Sequence, residues 1–88
     1  MAEEIEVLQD LSILRVEECD GLLVVDVYGG VDDACGSVRY SYDDPKEMAR
    51  HAKTLNRWRE NNTRVTYVRR GDSVALVDDR ALLEDALA

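Results

Sequence analysis

Apolar and polar positions change period several times along the chain, and each change marks an element. From Leu11 to Glu18 the chain reads as extended, with Ile13, Leu14 and Val16 set among polar residues. Asp20-Gly21 follows, a dipeptide that closes two-residue hairpins because both residues accept left-handed torsions. Leu22 to Tyr28 is apolar on both faces except at Asp26, the mark of a central strand covered on part of both sides. Gly29-Gly30 and then Asp32-Asp33 break the run and predict a loop. Val38, Tyr40 and Tyr42 alternate with Ser37, Arg39 and Ser41, the two-residue period of a half-buried strand. Residues 1–10 are less regular. Ile5, Val7 and Leu8 among acids predict a short helix or a frayed strand start.

A helical period takes over at Pro45. Asp43 or Asp44 can cap the helix, Pro45 suits its first position, and Glu47 favours the positive end of its dipole. Met48, Ala52, Leu55 and Trp58 recur at spacings of three and four, an apolar stripe that should face a sheet. The helix should run to about Glu60 and end at Asn61-Asn62, since Asn tolerates the left-handed conformation of helix termini. Thr63 to Arg69 is β-branched and alternating, Arg70-Gly71-Asp72 reads as a tight turn, and Ser73 to Val77 as the returning strand. Asp78-Asp79 can cap a last helix over Arg80–Leu87. The order β-β-β-α-β-β-α implies an α+β fold. It should be a mostly antiparallel sheet of about five strands, with one main helix on a face and a short C-terminal helix. Eighty-eight residues make one domain, 1–88.

Charge changes the picture most. The net charge of −8 opposes nonspecific nucleic-acid binding by the chain as a whole. It is unevenly placed. Residues 1–34 hold ten acids and one base, a net of −9, whereas residues 46–70 hold eight bases and two acids, a net of +6. Within the basic block, Lys46, Arg50, Lys53 and Arg57 are spaced four, three and four apart. At about 100° per residue they form one stripe, nearly opposite Met48, Ala52 and Leu55, and so point away from the core. With Arg69 and Arg70 they are the candidate partner- or anion-binding residues. Three uses compete for them: docking an acidic protein or a second copy of the chain, binding nucleic-acid phosphate, or simply a solvated helix face.

The type of charge carries a further signal. Arg outnumbers Lys nine to two, and Asp outnumbers Glu eleven to eight. In this composition, over the whole chain and not in any motif, the sequence resembles small acidic proteins of salt-loving archaea. At molar salt the Debye length is about 3 Å, so mutual repulsion among many carboxylates is weak.

Catalytic chemistry finds little to work with. His51 is the only histidine and borders the apolar stripe, where a packing role is expected. Cys19 and Cys35 each sit near carboxylates, a poor setting for a nucleophilic thiolate. Neither belongs to a C-x-x-C pair, and free thiols are expected. Asp32-Asp33, Asp43-Asp44 and Asp78-Asp79 lack the spacing of a calcium loop, and Gly29-Gly30 lacks that of a phosphate loop. No enzyme activity, metal or cofactor is expected. No apolar run is longer than Leu22-Leu23-Val24-Val25, far short of the roughly 20 residues of a membrane helix, and the N-terminus is acidic where a secretory signal is basic. The expectation is a cytoplasmic, non-enzymatic module for protein–protein interaction or self-association. A small nucleic-acid-binding or regulatory protein using the stripe on helix 45–60 is the alternative.

Overall fold

In a computed structural model, which describes residues 4–30 and 33–81, five strands and one long helix follow the expected order. They are β1 (Ile5–Cys19), β2 (Leu22–Gly29), β3 (Ala34–Ser41), α1 (Pro45–Glu60), β4 (Val65–Arg70) and β5 (Ser73–Asp78). The strands form one antiparallel sheet in the order β3-β2-β1-β4-β5. A last helical turn starts at 79–81, where the Arg80 N–H donates to the Asp78 carboxylate at 2.8 Å. Asp32 and the rest of the predicted Arg80–Leu87 helix lie outside the described residues.

Of the two expectations for the N-terminal segment, a short helix or a frayed strand start, the structure has the strand. From Ile5 onward it is strand, continuous with Leu11–Cys19. Its pairing partner is β4, with Ile5 opposite Arg70 and Leu8 opposite Tyr67. Leu22–Gly29 is the internal strand expected, paired with β1 on one side and β3 on the other, and β1 is the middle strand of the five. The two halves of β1 serve different neighbours. Ile5 to Leu8 pair with β4, Ser12 to Cys19 pair with β2, and Leu11 alone pairs with both, opposite Gly29 and Val65.

Asp10, at a φ of 63°, makes the kink that separates the halves. The end of β2 crosses this kink closely. A Cβ on Gly30 would lie 2.9 Å from the Gln9 carbonyl oxygen, and one on Gly29 would lie 3.3 Å from that of Asp10. Both glycines also have positive φ, at 126° and 79°. Gly29-Gly30 is thus required by close backbone approach as well as by its torsions.

The kink curls the sheet until its edge strands meet. Tyr40 on β3 reaches across, and its hydroxyl accepts the backbone N–H of Leu76 on β5 at 2.8 Å. A five-stranded antiparallel sheet in this order, its edges meeting and its helix between the third and fourth strands, has the arrangement of a partly open OB-type barrel. Inside lie Leu11, Ile13, Leu23, Val25, Val27, Val38, Val65 and Leu76, joined by Ala52 and Leu55 of α1. The helix packs mainly on β1.

Its ends follow the expected chemistry. The Asp44 carboxylate accepts the Lys46 N–H at 2.9 Å, with Pro45 in the first turn. At the other end the Thr63 N–H reaches the Trp58 carbonyl at 2.9 Å and the Asn62 N–H that of Arg59 at 3.2 Å, with Asn62 at a φ of 53°. That double bond is a Schellman stop, which uses the left-handed tolerance of Asn.

Two outcomes are expected. Gly30→Ala should lower the unfolding free energy by about 1–3 kcal/mol, read as a lower urea midpoint. An unchanged midpoint would mean that the crossing tolerates a side chain. Tyr40→Phe removes the acceptor from the buried seam and should cost about 1–3 kcal/mol. It should also speed hydrogen exchange at Leu76, and unaltered exchange there would show that the hydroxyl does not close the barrel.

Candidate functional site

The sixteen residues of α1 divide cleanly between core and solvent. Ala52 and Leu55 are buried, and Met48, His51 and Trp58 are partly so. Lys46, Arg50, Lys53 and Arg57 are exposed, as the angular spacing requires. They extend over about 16 Å of helix at about 1.5 Å per residue. None of the four makes an ion pair with another described residue.

Of the other cations, Arg39 and Arg59 likewise make no ion pair with a described residue, whereas three do. Arg15 binds Glu17 at 3.1 Å and Asp26 at 3.2 Å, Arg64 binds Asp10 at 3.6 Å, and Arg69 binds Glu6 at 3.7 Å. These are exposed pairs of modest strength, up to about 1 kcal/mol each. Arg70, at the exposed end of β4, is engaged as well. The six predicted residues therefore do not form one patch. Four line α1 with no ion pair among the described residues, while Arg69 and Arg70 occupy the end of β4 remote from its junction with the helix.

Beside the stripe runs a groove of about 750 Å³ between α1 and the end of β1. Arg50, Lys53 and Arg57 line it, Ala49 and Ala52 contribute small side chains, and Glu18 borders it from β1. Sequence reasoning did not associate Glu18 with the stripe, because 32 positions separate Glu18 from Arg50 and only the fold makes them neighbours. The outer face of β2 and β3 carries a second, weaker constellation. Tyr28 is 47% exposed opposite Cys35, and Arg39 is exposed opposite Val24. Asp26 shares that face, opposite Ser37.

The remaining chemical candidates resolve into structure. Cys19 pairs with Leu22 and Cys35 with Tyr28. Six positions along β2, roughly 20 Å, separate them, too far for a disulfide. Both are free and exposed. Among the described residues no three metal-ligating side chains converge, and no described helix is long and apolar enough to cross a membrane. Thr66, buried on β4, donates its hydroxyl to Asp79.

His51 packs edge-on against Tyr40, with ring centroids 4.8 Å apart, and its Nδ1 meets the Tyr42 hydroxyl. Burial lowers the His51 pKa below 6.5, so the imidazole is neutral near pH 7 and its Nδ1 accepts a hydrogen bond from the Tyr42 hydroxyl. Burial raises the Tyr42 hydroxyl, with Glu47 adding to the effect. Tyr40 is pushed up to about 12, chiefly by burial. The cluster ties β3 to α1 and, through Tyr40, to β5. It is a joint between the sheet and the helix.

No family model, no curated protein and no solved structure matched this chain.

The joint predicts a pH dependence. Unfolded His51 takes up its proton near pH 6.5, above the value at which the folded chain does. Its stabilising contribution is therefore full above pH 6.5 and is lost as pH falls through the folded value. Between pH 8 and 5 the wild type should lose more stability than His51→Gln. Parallel pH profiles for the two proteins would contradict this role for His51.

Proposed function

We propose that this protein is a non-enzymatic binding module that docks an acidic protein partner on the exposed face of α1. The observation that carries this is the unpaired stripe. Lys46–Arg50, Arg50–Lys53 and Lys53–Arg57 are like-charge neighbours on one helix face, and such pairs destabilise a helix by about 0.2–0.5 kcal/mol each. The described acids pair with Arg15, Arg64 and Arg69, and none of them makes an ion pair with the stripe. A local repulsion retained in an acidic protein is what an external acidic surface would relieve, and charge complementarity of this kind speeds encounter and selects partners.

A second copy is a poorer partner than a different protein. Two molecules meeting about a twofold axis on this face would bring stripe against stripe. Stripe against the acidic end of another molecule is a head-to-tail contact, which does not close into a dimer.

Nucleic acid is the second reading, favoured by the barrel arrangement, since OB-type barrels bind oligonucleotides on the face of strands 2 and 3. That is analogy at the level of fold. On this chain the corresponding face offers Tyr28 for stacking and Arg39 for phosphate, but Asp26 and Glu17 stand there too, with Arg15 held between them. The local charge cancels, and single-strand binding depends on a cationic track.

Titrating the protein at low ionic strength with poly-L-glutamate and with single-stranded oligo-dT separates the two. Poly-L-glutamate should bind the wild type, weaken with added salt, and fail to bind Lys46→Gln/Arg50→Gln/Lys53→Gln/Arg57→Gln. That variant should be as stable as the wild type or more so. Preferential binding of oligo-dT, abolished by Tyr28→Ala/Arg39→Gln, would transfer the function to the β2–β3 face.

A further inference from the structure

The stripe and its groove restrict the shape of the partner as well as its charge. Arg50, Lys53 and Arg57 line one side of the groove, and Ala49 and Ala52 project little into it. Small side chains let helices approach to interaxial distances of about 8 Å, the near end of the usual range. The four cations lie on steps of four, three and four residues, or about 6, 4.5 and 6 Å along the axis. A second helix lying along α1 repeats one face on the same steps. An extended chain presents one face every 6.8 Å or so, and by the fourth side chain it has run about 4 Å past the last cation. Glu18 adds a filter on the opposite bank. A phosphodiester backbone places a charge at every unit and meets that carboxylate, whereas a helix can turn an uncharged or basic residue toward it.

We infer that the groove takes an α-helix of another protein, lying along α1, with carboxylates spaced four, three and four residues apart on the face it presents. This rests on the docking function proposed above and specifies the partner's form. The carboxylates meet Lys46, Arg50, Lys53 and Arg57 in register, and the flank of that face toward the groove carries a small residue over the exposed Ala49.

Two synthetic peptides of identical composition, each locked helical by a side-chain staple on its far face, provide the test. One carries its carboxylates at the four-three-four spacing, and the other distributes them around the helix. Wild-type protein should bind the first roughly tenfold more tightly, the return on several contact ion pairs of modest strength. Arg50→Glu/Arg57→Glu should abolish that preference, and replacing the two matching carboxylates of the peptide by Lys should restore it. Glu18→Gln should raise affinity for oligo-dT more than for the striped peptide. Equal affinity for the two peptides would overturn the helical match while leaving acidic docking intact. Binding of neither peptide, with poly-L-glutamate also inert, would remove both. Oligo-dT binding more tightly than the striped peptide would overturn the inference in favour of nucleic acid.

Discussion

One strand that must satisfy two neighbours governs this structure. β1 gives its first half to β4 and its second half to β2, and Leu11 belongs to both pairings. A straight strand in a flat sheet would pair along its length on both sides. The kink at Asp10 prevents that and turns the sheet into a curl. Gly29 and Gly30 follow because no side chain fits where β2 crosses the kink. The β3–β5 seam follows because the curl brings the two edges together, where Tyr40 supplies the acceptor that Leu76 would otherwise lack. Covering an unpaired edge with a side-chain hydrogen bond also limits the risk that bare strand edges carry. The helix then has one place to bury Ala52 and Leu55, and its opposite face is left to solvent.

Electrostatics separates the surface into regions of different character. On the strands, cations sit beside the acids of the N-terminal half: Arg15 with Glu17 and Asp26, Arg64 with Asp10, Arg69 with Glu6. Two of these pairs are held by register, since Glu6 and Arg69 are opposite residues in the ladder, as are Arg15 and Asp26. The α1 stripe has no ladder to bring it a partner. Its charge is compatible with a fold that is acidic overall because the helix lies outside the ladder, and it gives a net-negative molecule a positive site.

Much of this was legible in the sequence. The alternation in Val38–Tyr42, the Asp20-Gly21 turn, the Asp44-Pro45 start and the Asn61-Asn62 stop are local signals, and local signals survive folding. So is the stripe, because helical period places Lys46, Arg50, Lys53 and Arg57 on one face wherever the helix goes. What escaped was non-local. The Ile5–Asp10 segment disguises its strand because the apolar Ile5 and Val7 lie on the outer face, 55% and 50% exposed, while Glu6 shares the inner face with Leu8. Its identity as strand comes from β4, some sixty residues later. The separation of Arg69 and Arg70 from the stripe, and the arrival of Glu18 beside it, likewise depend on which strand ends lie near α1. Proximity along the chain was a poor guide to proximity in space.

The most direct measurement is a map of amide chemical shifts on isotopically labelled protein as poly-L-glutamate is added. If α1 is the docking face, the perturbed amides should cluster at residues 46–60 and around Glu18, and leave Tyr28, Arg39, Arg69 and Arg70 unmoved. Perturbations centred on β2 and β3, or on the far end of β4, with α1 silent, would contradict it.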